Sequence, residues 1–287
     1  MNFDKFINDI ENNNLNVYGV EIYKKGKLIN SYGDTKDNIY DIYSATKTIL
    51  SLAVGIAYDK GLFDLDRSIL EYLTHNEINM ITKSQKDKFQ NITIHRLLTM
   101  SVADFPFRPE GDSYLKFSLN FEINNPDKIT FNYSNVSAYL VGVALTNAIG
   151  EDLGVFIENN IFKPLHITKY KYERCPDGFF YGASKMKLTV NELSKIGLLL
   201  YNKGVYKNLR IISEKYIEKA TIVQQNNDEK KYGYFIWKYK NGFSINGKWQ
   251  QRCYILPESD LIVTYLSHIV EENDSLLLSM EKNILDL

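Results

Sequence analysis

The chain has 287 residues, of which 44% are hydrophobic, and 34 Lys and Arg stand against 35 Asp and Glu for a formal net charge of -1. This balance excludes the strongly basic face that nucleic acid usually requires, so we expect no nucleic-acid partner. The apolar content excludes global disorder and suffices for one large or two modest domains.

No targeting or membrane segment is recognisable in the sequence. Residues 1–14, MNFDKFINDIENNN, lack the basic start and apolar run of a secretory signal. The longest strongly apolar segment, from Ile49 to Tyr58, has roughly ten residues, against the ~20 that cross a bilayer. Cys175 and Cys253 form no CxxC pair, so neither a disulfide scaffold nor a thiolate zinc site is indicated. We therefore expect a cytoplasmic protein without a membrane span.

The first elements along the chain are a hairpin and a helix. Val17 to Tyr23 and Lys27 to Tyr32 contain alternating or β-branched apolar residues and predict a β-hairpin. Ser44 then opens an apolar segment of helical spacing that ends before Gly61. The second pattern predicts a buried helix with a serine at its N-terminus.

The region from residue 64 to 177 predicts helices and polar loops, and strand patterns return only near the C-terminus. Segments 233–247 and 252–267 alternate, with KNG and PESD as turn signals, and 274–287 predicts a closing helix. The other predicted helices are Thr93 to Met100, Val136 to Ile149, Leu153 to Ile161, Thr189 to Tyr201, and one that Ser213 caps and that runs to about Ala220.

Strand-forming segments therefore lie at both ends of the chain. We predict an α/β (α+β) fold in which an antiparallel sheet, built from both chain ends and flanked by helices, carries an inserted and mostly helical domain. The expected domains are residues 1–63 plus 178–287 for the sheet and 64–177 for the insertion.

Several kinds of active site are absent from the sequence. The four histidines are scattered and form no HExxH motif, so we expect no metal site. No GxSxG elbow and no glycine-rich phosphate loop occur either. We expect no cofactor.

A serine and a lysine remain as candidates for chemistry. Ser44-Ala-Thr-Lys47 is an SxxK motif, which on a helix places a hydroxyl and an amine one turn apart on one face. A lysine buried among apolar residues has a lowered pKa and can take the serine proton. The alternative is a helix-capping serine whose lysine reaches solvent. SxxK also begins at Ser113, Ser184 and Ser279, so at least three of the four matches are accidental.

A second candidate element is Tyr133-Ser-Asn135, directly before another apolar helix. A tyrosine close to a lysine can pass the serine proton to a leaving group. The same YxN pattern occurs at Tyr206 and Tyr239 in predicted turns, and Tyr133 could equally be an aromatic core residue with its hydroxyl at the rim.

Taken together, these segments resemble the serine β-lactamase and penicillin-binding-protein superfamily. The similarity is to the branch that contains class C β-lactamases, family VIII esterases and 6-aminohexanoate-dimer hydrolases, and it covers most of the chain. Its order and spacing are more specific than SxxK alone. The matching segments are SATK, ITIHRLLTMS, FNYSN, IFKPLHIT, residues 181–206 and 212–221, and the strand pair around Gly247 to Pro257.

The resemblance implies a role for each matching residue. It makes Ser44 the nucleophile, Lys47 the activating lysine and Tyr133 the proton relay. Asn135 matches an asparagine that contacts the substrate or the lysine. SVAD at 101–104, where the family has TSG, departs from the pattern and is expected to reshape the loop at the edge of the site.

The family's third motif corresponds to residues 246–251, where Gly247 and Gln251 fit and Trp249 and Gln250 replace the usual glycines. We place one oxyanion donor at the backbone N–H of Lys248. We expect Trp249 to narrow or wall the pocket, with ordinary sheet packing as the alternative.

The resulting expectation is a serine hydrolase that forms an acyl-enzyme on Ser44 and acts on a small ester, amide or β-lactam. Two alternatives stay open. One is a penicillin-binding or D-alanyl peptide-processing protein, and the other is a non-catalytic ligand-binding descendant. The sequence leaves the oligomeric state open.

Overall fold

The computed structural model describes residues 1–226, 231–270 and 274–285. Its centre is an eight-stranded antiparallel sheet with the order β2-β1-β13-β12-β11-β10-β9-β8. The strands of the described part are β1 Val17–Lys24, β2 Lys27–Gly33, β3 Tyr40–Asp41, β4 Tyr170–Tyr172, β5 Met186–Leu188, β6 Val205–Tyr206, β7 Leu209–Arg210, β8 Gln225–Asn226, β9 Lys231–Tyr232, β10 Trp237–Tyr239, β11 Gly242–Gly247, β12 Gln251–Leu256 and β13 Leu261–Ser267.

The two chain ends meet in this sheet. β1 pairs with β13, so that Val20 faces Tyr265 and Ile22 faces Val263 across the ladder. The predicted N-terminal hairpin and the predicted sheet built from both ends are confirmed.

Helices cover both faces of the sheet. The helices of the described part are α1 Phe3–Asn12, α2 Thr46–Asp59, α3 His75–Asn79, α4 Lys83–Phe89, α5 Ile94–Leu98, α6 Tyr114–Asn120, α7 Asn135–Ile149, α8 Leu153–Ile157, α9 Val190–Tyr201, α10 Glu214–Thr221 and α11 Ser275–Asn283. Helices α1 and α11 share a core with one face of the central strands, and α9 packs against the other face.

The alternation of the central strands explains this layering. On β1, Val20 and Ile22 point to the core below α1 and α11, whereas Tyr23 belongs to the larger core on the side of α9. Because both faces are covered, these strands carry apolar residues at nearly every position. Because the sheet is buried on both sides, it fixes the positions of the helices that pack against it.

Helix α2 is the central helix of the larger core. Every residue from Thr46 to Ala57 is buried, and the helix contacts α7, α8 and α10. A helix that is apolar on all sides is expected in such a place. The predicted buried helix is confirmed, although its start differs: Ser44 lies in a 3₁₀ turn, Tyr43–Ala45, and α2 begins at Thr46.

The other predicted helices agree with the structure to within a few residues at most. The one predicted over 153–161 is split into α8 and a following π-helical turn, Glu158–Phe162. The end of the predicted closing helix, residues 286–287, lies outside the described residues.

A small three-stranded sheet, of order β3-β5-β4, was not predicted. Its strands are only two or three residues long, too short for a recognisable alternating pattern. β4 lies inside the predicted insertion and pairs with β5 outside it. The predicted domain boundaries therefore stay a prediction.

Within the described ranges, no single helix has the length and apolar character to cross a membrane. In the described part of the chain, one pair of helical segments, Asn135–Ile149 and Leu153–Phe162, passes that test by length and composition when taken together, and it is bent by 81°.

Candidate active site

Ser44 lies in a tight turn between β3 and α2. The preceding residue, Tyr43, has a φ of +47°, which is uncommon for a residue with a side chain. The Tyr43 ring meets the edge of Trp249, with ring centroids 5.1 Å apart. Ser44 itself caps no helix, because the N-cap position of α2 is Ala45. The interpretation of Ser44 as a capping serine is therefore wrong.

The Lys47 side chain is buried beside Ser44 and is only 1% exposed. Its Nζ donates to Ser44 Oγ at 3.2 Å, to Asn135 Oδ1 at 2.7 Å and to the Ala183 carbonyl at 2.7 Å. The alternative in which Lys47 reaches solvent is wrong. All three acceptors are formally neutral, so none of them balances a positive charge on the lysine.

Burial lowers the pKa of Lys47 to about 7. The cause is desolvation, which penalises the charged ammonium in the core. Near neutral pH a substantial fraction of the amine is therefore uncharged. In that form it can accept the Ser44 proton across the contact that it already makes.

Tyr133 completes the group around Ser44. Burial raises the pKa of Tyr133 to about 12, and its hydrogen bond with Ser44 opposes that rise. Its ring centroid lies 5.0 Å from Lys47 Nζ. The phenol is thus protonated at neutral pH and lies beside both the hydroxyl and the amine.

These groups face a cavity of about 410 Å³. Ser44, Tyr133, Asn135 and Lys248 line it. The remaining lining residues are Tyr43, Phe107, Ser184, Trp237, Asn246, Gly247 and Arg252. A larger cavity of about 560 Å³, beside the end of α11, is lined by none of the predicted site residues.

The Beta-lactamase family model matches residues 11–279. The chain belongs to this family. Its members are generally serine hydrolases, and the predicted family resemblance is confirmed. No curated protein sequence matches the chain.

Several solved structures of other proteins have the same fold at low sequence identity. A D-stereospecific amidohydrolase from Streptomyces superimposes with a TM-score of 0.75 at 14% identity, covering 99% of each chain. A penicillin-binding protein from Bacillus halodurans gives 0.73 at 16% identity, covering 96% of this chain and 99% of its own. A protein from Bacillus anthracis described as a 6-aminohexanoate-dimer hydrolase gives 0.74 at 14%, covering 96% of this chain and 79% of its own.

In the turn after β11, the chain lacks the glycines that the third motif of the β-lactamase family usually has. Trp249 and Gln250 have φ of +59° and +65°, so two residues with side chains hold a backbone conformation that favours glycine. Gln251 stabilises the turn, since its Nε2 donates to the carbonyls of Lys248 and Trp249 at 2.9 and 3.1 Å.

Trp249 is not among the residues that line the cavity, although its neighbour Lys248 is. Its ring packs on Tyr43 and lies 4.3 Å from the ring of His268. Because Tyr43 lines the cavity, Trp249 packs behind a lining residue, and the expectation that Trp249 narrows or walls the pocket stays a prediction.

Phe107, Ser184 and Arg252 line the cavity but were not predicted as site residues from the sequence. Asn246 and Arg252 are paired across β11 and β12. If the third motif had been assigned to a hairpin of these two strands, the residue opposite Asn246 would have been indicated as Arg252. Phe107 lies in an irregular loop and carries no local signal. The Ala183 carbonyl that holds Lys47 is a backbone group, which no residue pattern reveals.

The other three SxxK motifs have different surroundings. Ser184 does line the cavity, but Lys187 of its motif forms an ion pair elsewhere. The serine hydroxyls of the other two motifs donate to carboxylates: Ser113 Oγ to Asp177 Oδ1 at 2.5 Å and Ser279 Oγ to Asp9 Oδ2 at 2.7 Å. The ion pair of Lys187 joins its Nζ to Asp41 Oδ2 at 2.9 Å.

Across the described ranges, no cluster of His, Cys, Asp and Glu could hold a metal ion.

Proposed function

We propose that this protein is a serine hydrolase that forms an acyl-enzyme on Ser44. The observation that carries the proposal is the contact of Ser44 Oγ with the amine of Lys47, which is buried, donates to three neutral acceptors and has a pKa of about 7. A lysine in this state can act as a base at neutral pH. The cavity in front of it has room for a small ester, amide or β-lactam.

The residues act in sequence. Ser44 Oγ bonds to the substrate carbonyl carbon while its proton passes to the neutral amine of Lys47, and Tyr133 relays a proton from that amine to the leaving atom. The carbon–oxygen or carbon–nitrogen bond to the leaving group then breaks, and the leaving atom takes that proton. Water next attacks the acyl-enzyme, returns a proton to Ser44 and releases the acid.

The negative charge that develops on the carbonyl oxygen needs hydrogen-bond donors. We assign this role to two backbone N–H groups, that of Ser44 and that of Lys248 in the third motif, because both residues line the cavity. Each such donor contributes about 3 kcal/mol to the stabilisation of the transition state. Asn135 supports the site by accepting from Lys47.

A fluorophosphonate probe with intact-mass detection tests the assignment. The wild-type protein should gain one adduct, and Ser44→Ala should gain none. Ser113→Ala, Ser184→Ala and Ser279→Ala should label like the wild type. No Ser44-dependent adduct would instead support the non-catalytic descendant. A screen with nitrocefin, short-chain p-nitrophenyl esters and simple amides then identifies the substrate class.

A second candidate, processing of D-alanyl peptides, is favoured by Arg252. Arg252 lines the cavity, and its guanidinium Nη1 donates to the carbonyls of Gly247 and Gln251 at 2.7 and 2.9 Å. A positive charge at this place suits a substrate with a terminal carboxylate. If the candidate holds, peptides with a free C-terminal carboxylate should be cleaved faster than their amides, and Arg252→Gln should remove the preference. Equal rates for both peptides in the wild type would contradict it.

We also propose a cytoplasmic location. It is supported by the two cysteines, Cys175 and Cys253, which are buried free thiols. Cell fractionation with an antibody against the protein tests it, and recovery outside the cytoplasm would contradict it.

A further inference from the structure

Two aromatic rings pack on the ring of Tyr133 at the cavity. Tyr133 is stacked against Trp237, with centroids 5.5 Å apart and planes 25° apart. Its ring also lies 6.5 Å from that of Phe107, with planes 28° apart. All three residues line the cavity, so the phenol that contacts Ser44 has two apolar rings as neighbours.

Phe107 is the exposed member of these three rings. Its side chain is 60% exposed, although it lines the cavity. An apolar ring in this position loses contact with water when a ligand covers it, which favours binding of an apolar group. Trp237, in contrast, is also packed against Phe131 and Tyr232 inside the protein.

The backbone around Phe107 is held in place. The Asn135 N–H donates to the Phe107 carbonyl at 2.6 Å, and Ser134 Oγ donates to the Pro106 carbonyl at 2.6 Å. Both donors belong to the start of α7, which also positions Tyr133. The backbone of Phe107 is therefore fixed relative to Tyr133, and binding against the ring requires little ordering of the loop.

The place of this ring beside Tyr133 indicates which part of a substrate it meets. In the proposed function, on which this inference rests, Tyr133 delivers the proton to the leaving group. The leaving atom must then lie at the Tyr133 hydroxyl, with its substituent near the rings that pack on the phenol. We propose that Phe107 is a specificity-determining residue that selects substrates whose leaving alcohol or amine carries an aromatic or flat apolar group.

Two ester series with matched variation test this inference. One series keeps an acetyl group and changes the alcohol from ethyl to benzyl, and the other keeps an ethyl alcohol and changes the acid from acetyl to phenylacetyl. We expect Phe107→Ala to lower the benzyl-to-ethyl ratio of kcat/KM about tenfold, the effect of losing one ring contact. The phenylacetyl-to-acetyl ratio should change less than about twofold.

The control is Ile129→Ala, because Ile129 is as exposed an apolar residue, at 65%, but does not line the cavity. It should leave both ratios unchanged. Phe107→Leu, which keeps apolar area without a flat ring, should give an intermediate benzyl preference. An unchanged benzyl preference in Phe107→Ala, or a loss that follows the acid, would overturn the inference.

Labelling separates this outcome from failure of the proposed function. Both Phe107 variants should still gain the Ser44 fluorophosphonate adduct, which also shows that they are folded at the site. Loss of specificity with intact labelling supports the role of Phe107. If the wild type gains no Ser44-dependent adduct, the proposed function itself fails.

Discussion

At the residue scale, the buried amine of Lys47 is the unusual group of this protein. It makes three hydrogen bonds, and each of its acceptors comes from a different part of the chain. Ser44 is its neighbour on the same turn, Asn135 begins α7, and Ala183 precedes β5. The lysine therefore couples the start of the central helix to two remote segments, and its environment depends on all of them.

The lowered pKa of Lys47 predicts the pH dependence of turnover. The neutral amine is the base, so kcat/KM should rise as the pH increases through about 7, where Lys47 loses its proton. Tyr133, with a pKa of about 12, should cause no fall at moderately alkaline pH. Initial rates with one ester across buffers check this. Lys187→Met, which removes the lysine of another SxxK motif, should keep the profile, and a flat wild-type profile would refute the role of Lys47.

The same pKa predicts a pH dependence of stability. The unfolded lysine has a pKa near 10.5 and the folded one about 7, so between these values the unfolded state binds more protons. The wild type should therefore gain stability as the pH rises from about 7 towards about 10. Lys47→Met has no titrating amine at this position. Between about pH 7 and 9 the free energy of unfolding of the wild type should therefore rise by up to about 3 kcal/mol more than that of Lys47→Met. Urea unfolding at the two pH values measures the difference, and an unchanged difference would contradict a lowered pKa.

At the element scale, close packing of α9 on the sheet depends on a glycine. A Cβ on Gly197 would lie 2.5 Å from Cys253 Sγ and 3.3 Å from Ile262 Cγ2, both in the central strands. The helix can approach the sheet this closely only without a side chain at that position. A clash with a fully buried neighbour must move the helix or the strand.

Two helix-interior glycines provide a matched test of that packing. Gly197→Ala should lower the free energy of unfolding by about 1–3 kcal/mol because it overpacks the interface. Gly142→Ala in α7, where a Cβ would meet nothing nearer than 3.7 Å, should be neutral or raise stability by up to about 1 kcal/mol because alanine favours helix. Chemical denaturation of both variants gives the comparison, and equal effects would show that the contact with Cys253 does not matter.

At the scale of the whole molecule, the sheet joins segments that are far apart in sequence. β1 lies between the hairpin partner β2 and the late strand β13. Glu21 of β1 is fully buried and accepts from Asn191 of α9 at 3.1 Å and from Tyr23 at 2.9 Å. The N-terminal hairpin is thus held by ladder hydrogen bonds and by buried polar contacts with the later part of the chain.

The pairing of β1 with β13 predicts how the sheet unfolds locally. Backbone amides of β1 and β13 that bond across their ladder should exchange with solvent only through the same cooperative opening, and so with the same free energy. Amides on the outer edge of β2 should exchange faster. Native-state hydrogen exchange measures these values. A β1 that exchanges far more easily than β13 would mean that the N-terminal hairpin detaches independently.

Much of the element pattern could be predicted from the sequence because it depends on local order. The alternating strands and the long apolar helices have clear periods, and helix α7 ends at Gly150, which adopts the left-handed φ of 68°. The two- and three-residue strands of the small sheet could not be predicted, since their pairing comes from distant partners. The positive φ of Trp249 could be predicted only from the family pattern, because the residue itself is not the glycine that the pattern has there.

The sequence by itself determined which residues could do chemistry, through the order of the SxxK, YxN and third-motif segments and the apolar surroundings of Lys47. Only the tertiary structure decided which serine has a lysine beside it, since four SxxK motifs share one local pattern. It also placed the Ala183 carbonyl on Lys47, brought Phe107 and Arg252 to the cavity and packed Trp249 against Tyr43 and His268. These placements depend on packing between segments far apart in the chain, and a local pattern contains no information on that packing.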